Sequence, residues 1–576
     1  MKKRLLALLL AVLMVLSMAA CGGNTASGET PSSQETPSGG NDSAPASEEK
    51  DSSTATAPAD PDTEELADEQ VFHYYTGNEP STLDPWMNGS GSAGILVAAL
   101  HEPMLRPSLE GEGWEPGLCD SYEKNEDATV HTLHLREGAK WQDGTEITLE
   151  DIYNSYLRVL NPELGSSVAY RYFEILNAEA YYMGEAAEED LGIKLLDGNR
   201  IQFTTEQPCD YFVDMMTSDS FAPIQTAAAE EFGDMYGTDV DKIVASGPFK
   251  LVEWSHQHAL VLEKNENYWD AENVKLQTLD VTITVDQNTI LGMFQNGELS
   301  LYKVGNEVLP QYADDPTLVT DSRLMVTFIE FNPSNEFLSN KNIREAFSIA
   351  FDRKIFAEQV MHNGKLAAYG LVPYGVRGLD GGDFREQNGD IVTDASDPSE
   401  IERAKNLLAT GLEELDKTME DLQNGFSIQC LESGKTQAQA IQNMWKTNLG
   451  VEMPVSVVDF NVLLPMLMEG TFDCVIGGGQ DSNYRDPKGF LNFIYEEGKW
   501  DDPEFLDLME KVQTQTGDER IQTWMDIERL VLENYIYIPQ VYSENNWVFQ
   551  PNVRGLKIFT YGYEMDFKDV YIVKES

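Results

Sequence analysis

Stretches in which every second position is apolar keep giving way to stretches in which apolar positions fall three and four apart, so the pattern predicts mixed α/β domains. In Thr129-Val130-His131-Thr132-Leu133-His134-Leu135, Leu133 and Leu135 share one face of a strand that stops at Arg136-Glu137-Gly138. Thr148-Leu149-Glu150-Asp151 then has the form of a capped helix start, in which a hydroxyl accepts the amide three residues on and the acid there reaches back. Ile152, Tyr156, Val159 and Leu160 follow at helical spacing, and Asn161-Pro162 closes the helix. A second helix begins near Asn342 with Ile343, Phe347, Ala350 and Phe351 as its apolar stripe. A third runs from about Ala438 to Asn448, ahead of the strand-like Val455-Ser456-Val457-Val458. No internal repeat is visible.

The two ends of the pattern differ from its middle. Met1-Lys2-Lys3-Arg4 precedes an apolar run over residues 5–16 that is too short to span a bilayer comfortably, which is the form of an export signal. The small residues before Cys21 in Leu16-Ser17-Met18-Ala19-Ala20-Cys21-Gly22 resemble the bacterial lipobox. That resemblance implies cleavage after residue 20 and a lipid on Cys21, which anchors the protein to the extracytoplasmic face of the cell membrane. Residues 21–70 are dominated by Ser, Thr, Pro, Gly, Asp and Glu. They cannot bury enough apolar surface to offset their ordering entropy, so a disordered tether is expected there. Val71-Phe72-His73-Tyr74-Tyr75 marks the start of the folded part. No other stretch is long and apolar enough to cross a membrane.

The remaining chain of about 500 residues is too large for one core and should divide into two or three domains. With 98 acidic against 40 basic residues the net charge is −58, which argues against nucleic acid as a partner. Cys119, Cys209, Cys430 and Cys474 are scattered and form no CxxC pair, which leaves buried thiols and any of three disulfide pairings open. There is no GxSxG, HExxH or P-loop lysine motif, so the sequence offers no enzyme its residues. Gly89-Ser90-Gly91-Ser92-Ala93-Gly94 spells GxGxxG, but it follows Pro85-Trp86-Met87-Asn88 in place of an apolar strand and is expected to be a flexible loop. His131 and His134 fall on opposite faces of their strand, and His256 and His258 sit in what reads as a solvated hairpin tip, so no metal site is expected. No cofactor is expected either.

Seven segments, taken in order, carry a resemblance. They begin with Glu79-Pro80-Ser81-Thr82-Leu83-Asp84-Pro85 and Leu100-His101-Glu102-Pro103-Met104-Leu105-Arg106-Pro107. The longest is Leu133-His134-Leu135-Arg136-Glu137-Gly138-Ala139-Lys140-Trp141-Gln142-Asp143-Gly144-Thr145. Ser246-Gly247-Pro248-Phe249-Lys250-Leu251, Asn265-Glu266-Asn267-Tyr268-Trp269, Ile343-Arg344-Glu345-Ala346-Phe347 and Gly470-Thr471-Phe472-Asp473 continue the series. Together they resemble the extracytoplasmic peptide-binding proteins of ABC importers, a family that includes oligopeptide, dipeptide and some nickel receptors; the resemblance covers residues 71–576 and implies the class II periplasmic-binding-protein fold, two main lobes around a ligand cleft plus an extra lobe. Lobe I would be discontinuous, at 71–115, 245–332 and 545–576, with lobe II at 116–244 and lobe III at 333–544. Ligand would lie between lobes I and III, which close about strands crossing near Phe331-Asn332 and Ser543-Glu544. The implied partners are a peptide ligand and the permease subunits of an ABC importer, with the receptor a monomer. A receptor for a nickel chelate or another small solute is the alternative, and a secreted hydrolase a remote one.

A peptide receptor needs main-chain partners, a carboxylate for the ligand's amino group and roomy aromatic-lined pockets. The family's amine-binding segment corresponds to Gly477-Gly478-Gly479-Gln480-Asp481-Ser482-Asn483-Tyr484-Arg485-Asp486-Pro487, which carries three glycines and no tryptophan. The amine-binding acid is Asp481 if extra residues lie after it, and its place is taken by Asn483 if they lie before. Tyr484 belongs to the same segment. The resemblance also implies Glu102 near the cleft, Phe460 at a pocket aromatic position, and Tyr170 and Tyr172 as aromatic contacts from lobe II.

Overall fold

The computed structural model describes residues 64–574, apart from residues 88–90, 110–112, 167, 306, 362–364 and 499. The signal segment, Cys21 and most of the expected tether lie outside the described residues. Three sheets organise the rest. The first has Val71–Thr76 parallel to Thr278–Ile283, followed by the antiparallel Ala259–Lys264 and Phe249–Ser255. The second is antiparallel, in the order Cys119–Lys124, Val130–Leu135, Arg200–Thr204 and Ile193–Leu196. The third has seven strands, Leu301–Lys303, Tyr537–Phe549, Val319–Phe331, Cys474–Asp481, Ile428–Cys430 and Val455–Val457 in order, with Lys365–Ala367 also against Tyr537–Phe549.

Local chemistry explains the elements. In Val130–Leu135 the residues His131, Leu133 and Leu135 alternate into the core. Thr148 Oγ1 accepts the amide of Asp151 at 3.1 Å and Asp151 Oδ2 accepts that of Thr148 at 3.1 Å, a reciprocal cap on the helix Leu149–Leu160. The Asn340 side chain accepts from the amides of Asn342 and Ile343 at the start of Lys341–Ile349. The helix Lys435–Leu449 ends at Gly450, whose φ of +76° suits a residue without Cβ.

The seven-stranded sheet is a middle layer. Ile329, Phe331, Ile428, Cys474, Ile476 and Ile538 face one cluster with the helices Lys341–Ile349, Pro398–Glu414 and Lys435–Leu449. Leu324, Val326, Phe328 and Tyr537 face another with Lys488–Glu497, Pro503–Val512 and Gly517–Glu533. Helices on both faces of one sheet give the α/β layering that the periodicity predicts. The other two sheets share a single large cluster, which also takes in Trp547, Phe549, Leu556, Phe567 and Ile572 from the far end of the chain.

The two 13-residue strands Val319–Phe331 and Tyr537–Phe549 run from one region to the other. Their pairing is interrupted between Ser322 and Val326, where the partners step from Glu544 to Tyr542. Near Val319 and Trp547 they belong to the large shared cluster, and beyond Val326 they belong to the seven-stranded core.

Two expectations are corrected. Order begins before Val71: Leu66 bridges Val573, Arg554 pairs with Glu64 at 2.9 Å, and Glu65 O accepts from the Lys574 amide, so the C-terminal strand region holds residues 64–70. Gly91 and Gly94 are not in a loop but in the first turn of the helix Gly91–Leu100, whose Ile95, Leu96, Val97 and Leu100 are buried. A Cβ on Gly94 would sit 3.0 Å from Asp219 Oδ2, so this glycine serves close packing. The four cysteines among the described residues are buried free thiols. No helix among the described residues is long and apolar enough to cross a membrane.

Candidate ligand-binding site

The strand Cys474–Asp481 is the element around which the site is built. On one side it pairs with Val319–Phe331 along its whole length. On the other, Ile428–Cys430 reaches only Cys474 and Val475. From residue 476 to 479 that edge has no neighbouring strand among the described residues, and a strand edge without a neighbour is a template for an extended chain. Gly477, at φ +97°, sits at the register shift opposite Phe328 and Ile329. A Cβ on Gly478 would come 2.9 Å from the Phe328 ring, and one on Gly479 3.0 Å from Val326 O. The glycines therefore keep the main chain bare where side chains would collide.

Asp481 ends this strand, in register with Met325. As a residue it is exposed, yet burial raises its carboxyl above the usual range, with Arg171 and then Arg323 pulling it back down. The carboxyl therefore lies within electrostatic reach of both guanidiniums while remaining open to water. Arg171 in turn donates to Ser220 Oγ at 2.8 Å, with Asp219 nearby pushed up to about 6 by burial. Arg323 lies 3.5 Å from Glu564, which accepts from Asn545 at 3.0 Å. Asp321 accepts from Trp547 Nε1 at 3.1 Å, is almost fully buried and is pushed up to about 6 by burial, with Arg323 opposing. Glu544, opposite Ser322, is pushed up to about 7 by burial and by Asp321. Carboxylates outnumber the cationic groups among these residues, even with Lys303 acting on Asp321, a balance that favours a cation.

A profile of the bacterial extracellular solute-binding proteins, family 5, middle region, matches residues 113–502. The chain belongs to that family. Among curated members, the oligopeptide-binding protein OppA of Bacillus subtilis is 28% identical over 508 residues, 86% of this chain and 91% of its own. The periplasmic oligopeptide-binding protein OppA of Salmonella typhimurium is 28% identical over 546 residues, 91% and 96% of the two chains. The substrate-binding domain of an oligopeptide ABC transporter from Bacillus anthracis superposes with a TM-score of 0.71 at 24% identity, over 89% of this chain and all of the other. The fold is the class II periplasmic-binding-protein fold of that family.

The family segment behaves differently at each candidate residue. Asn483 is exposed, and its main-chain oxygen accepts from Gly562 at 3.0 Å. Tyr484 stacks on Tyr211, with centroids 4.7 Å apart, so its ring is taken up within the protein. Phe460 begins the apolar helix Phe460–Glu469 and is half-buried, at the carboxyl ends of the strands Ile428–Cys430 and Val455–Val457. Tyr170 is half-buried beside Arg171. Two candidates are corrected. Tyr172 is fully buried, donates to Ser220 O at 2.5 Å and stacks on Trp86, so it is core. Glu102 is fully buried and accepts from Arg106 at 2.7 Å and from Trp269 at 3.2 Å, so its carboxylate is committed to partners within the protein. Sequence reasoning missed Arg171, Arg323 and Glu564, which come together only in three dimensions. Arg171 carried one signal, its place between the two tyrosines that the resemblance singled out.

Proposed function

We propose that this chain captures peptides in the cleft beside the Cys474–Asp481 strand and delivers them to the permease subunits of an ABC importer. One observation carries the reading: the edge of that strand without a strand neighbour, over residues 476–479, ends in a carboxylate that water can reach. An extended peptide brings main-chain donors and acceptors to such an edge and an ammonium to Asp481. The binding proteins named above support the same reading. Among the described residues no three histidine, cysteine or acidic side chains are grouped to hold a metal ion, and no observation favours the nickel-chelate reading.

Lipid on Cys21 would tether the receptor to the extracytoplasmic membrane face, and it would act as a monomer without enzymatic activity of its own. The register breaks between Ser322 and Val326, and between Glu544 and Tyr542, supply a natural hinge between lobe I and lobe III. That moves the first crossing point back from Phe331-Asn332, which pairs deep within the seven-stranded sheet. A crystal structure with tetra-alanine tests the proposal. The peptide should lie along residues 476–479 with its ammonium within about 4 Å of Asp481. A peptide lodged elsewhere, or none at millimolar concentration, would refute it.

A further inference from the structure

The turn that follows the ligand strand is held from the other side of the molecule. Asp214, in the short helix Phe212–Met215 of the body built on the second sheet, is 1% exposed. Its Oδ2 accepts from the main-chain N–H of Arg485 at 3.1 Å and from Arg485 Nε at 3.1 Å, and its Oδ1 accepts from Arg485 Nη2 at 3.0 Å and Arg377 Nη2 at 2.5 Å. The main-chain bond matters most, because it fixes the backbone of the turn itself. Two residues earlier, Asn483 O accepts from the Gly562 amide. The guanidinium of Arg485 lies 3.8 Å over the Tyr561 ring and fills the space where a Cβ on Gly113 would stand, 2.0 Å away. Alongside, Tyr211 stacks on Tyr484, Lys488 meets Glu174 at 2.5 Å, and the Gly517 amide donates to Asp210 at 2.9 Å. Asp486, chelated by Arg520 at 2.6 and 2.8 Å, pins the far end of the turn. In this turn the side chains of Asp481 and Asn483 stay exposed while their neighbours are tied down.

We propose that Asp214 is a positioning residue for the ligand site. It holds the turn from Asp481 to Asp486 through Arg485, so that docking of the second-sheet body presents the Asp481 carboxylate in one fixed place. This rests on the peptide reading only for the identity of the ligand. A carboxylate shared by two guanidiniums and an amide is a geometric clamp that a neutral amide side chain cannot reproduce, because it supplies one acceptor in place of two.

The experiment compares the full-length mature chain with Asp214→Asn and Asp214→Glu. Without ligand, amide hydrogen exchange across residues 477–487 should quicken roughly tenfold in Asp214→Asn, with Glu restoring protection in part. Release of fluorescently labelled tetra-alanine should quicken roughly tenfold while association changes by less than about twofold. In an Asp481→Asn background, Asp214→Asn should alter release by less than about threefold, since both act on one contact. Unchanged exchange at 477–487, or a lower melting temperature with exchange and release unaltered, would overturn the proposal. A wild-type protein that binds no peptide would defeat the peptide reading, and the ligand-free exchange comparison would then decide this proposal alone.

Discussion

Asp481→Asn is the substitution that isolates the charge of the site from its shape. In the wild type a ligand ammonium would meet a carboxylate flanked by Arg171 and Arg323. Removing the carboxylate takes away the ammonium's direct counter-charge while Arg171 and Arg323 remain close by. Loss of one partner from a desolvated charge pair costs about 2 to 5 kcal/mol. Because Asp481 keeps contact with water, the lower end applies, about 2 kcal/mol or roughly a thirtyfold weaker complex. Asn483→Ala, which removes only a neutral group, should cost no more than about 1 kcal/mol. Calorimetry with tetra-alanine and its N-acetylated form reads both effects. The acetylated peptide should bind wild type about as weakly as the free peptide binds Asp481→Asn. The pH dependence has a definite sign: the Asp481 carboxyl is raised, affinity requires its ionised form, and binding should fall as pH drops through that range in wild type but not in Asp481→Asn. Unchanged affinity in Asp481→Asn, or equal binding of both peptides by wild type, would refute the reasoning.

Glu544, pushed up from 4.5 to about 7 by burial and Asp321, holds its proton more tightly folded than unfolded, so it should erode stability as pH rises from about 4.5 through 7. The full shift would correspond to about 3 kcal/mol; screening at this partly exposed site brings it nearer 1 kcal/mol, so Glu544→Gln should flatten the fall in denaturant midpoint between about pH 4.5 and 7 and raise the midpoint above pH 7. Glu102→Ala leaves Arg106 paired with Asp566 but takes the acceptor from Arg106 Nη1 and Trp269 Nε1, and should cost about 2 kcal/mol of stability by urea unfolding, with tetra-alanine affinity unaltered in the folded fraction. Tyr172→Phe should lose about 1 kcal/mol of stability without changing peptide binding, while Phe460→Ala should do the reverse, and calorimetry paired with unfolding separates the two.

What was legible in the sequence is what depends on near neighbours. The Thr148–Asp151 cap, the stripe of Ile152, Tyr156, Val159 and Leu160, and the alternation around Leu133 all follow from spacing along one element. The glycine segment and Asp481 are adjacent in the sequence and end one strand, Cys474–Asp481, so their closeness needs no tertiary contact. Direction was not legible. The resemblance put Glu102 and Tyr172 near the ligand, yet each side chain turns inward to partners more than forty residues away, Trp269 and Ser220. Gly94 was misread for the same reason, since the carboxylate it admits comes from Asp219. Arg171 and Arg323 reach Asp481, Glu564 reaches Arg323 and Asp214 reaches Arg485 only through contacts distant in sequence, and no periodicity encodes that.

The central claim is that the natural ligand is a peptide. Purifying the native protein gently, denaturing it and weighing what it releases tests this directly. Mass spectrometry should find peptides, with unblocked amino termini, at close to one per chain. Recovery of a metal chelate or another small solute at that ratio, with no peptide, would contradict the account.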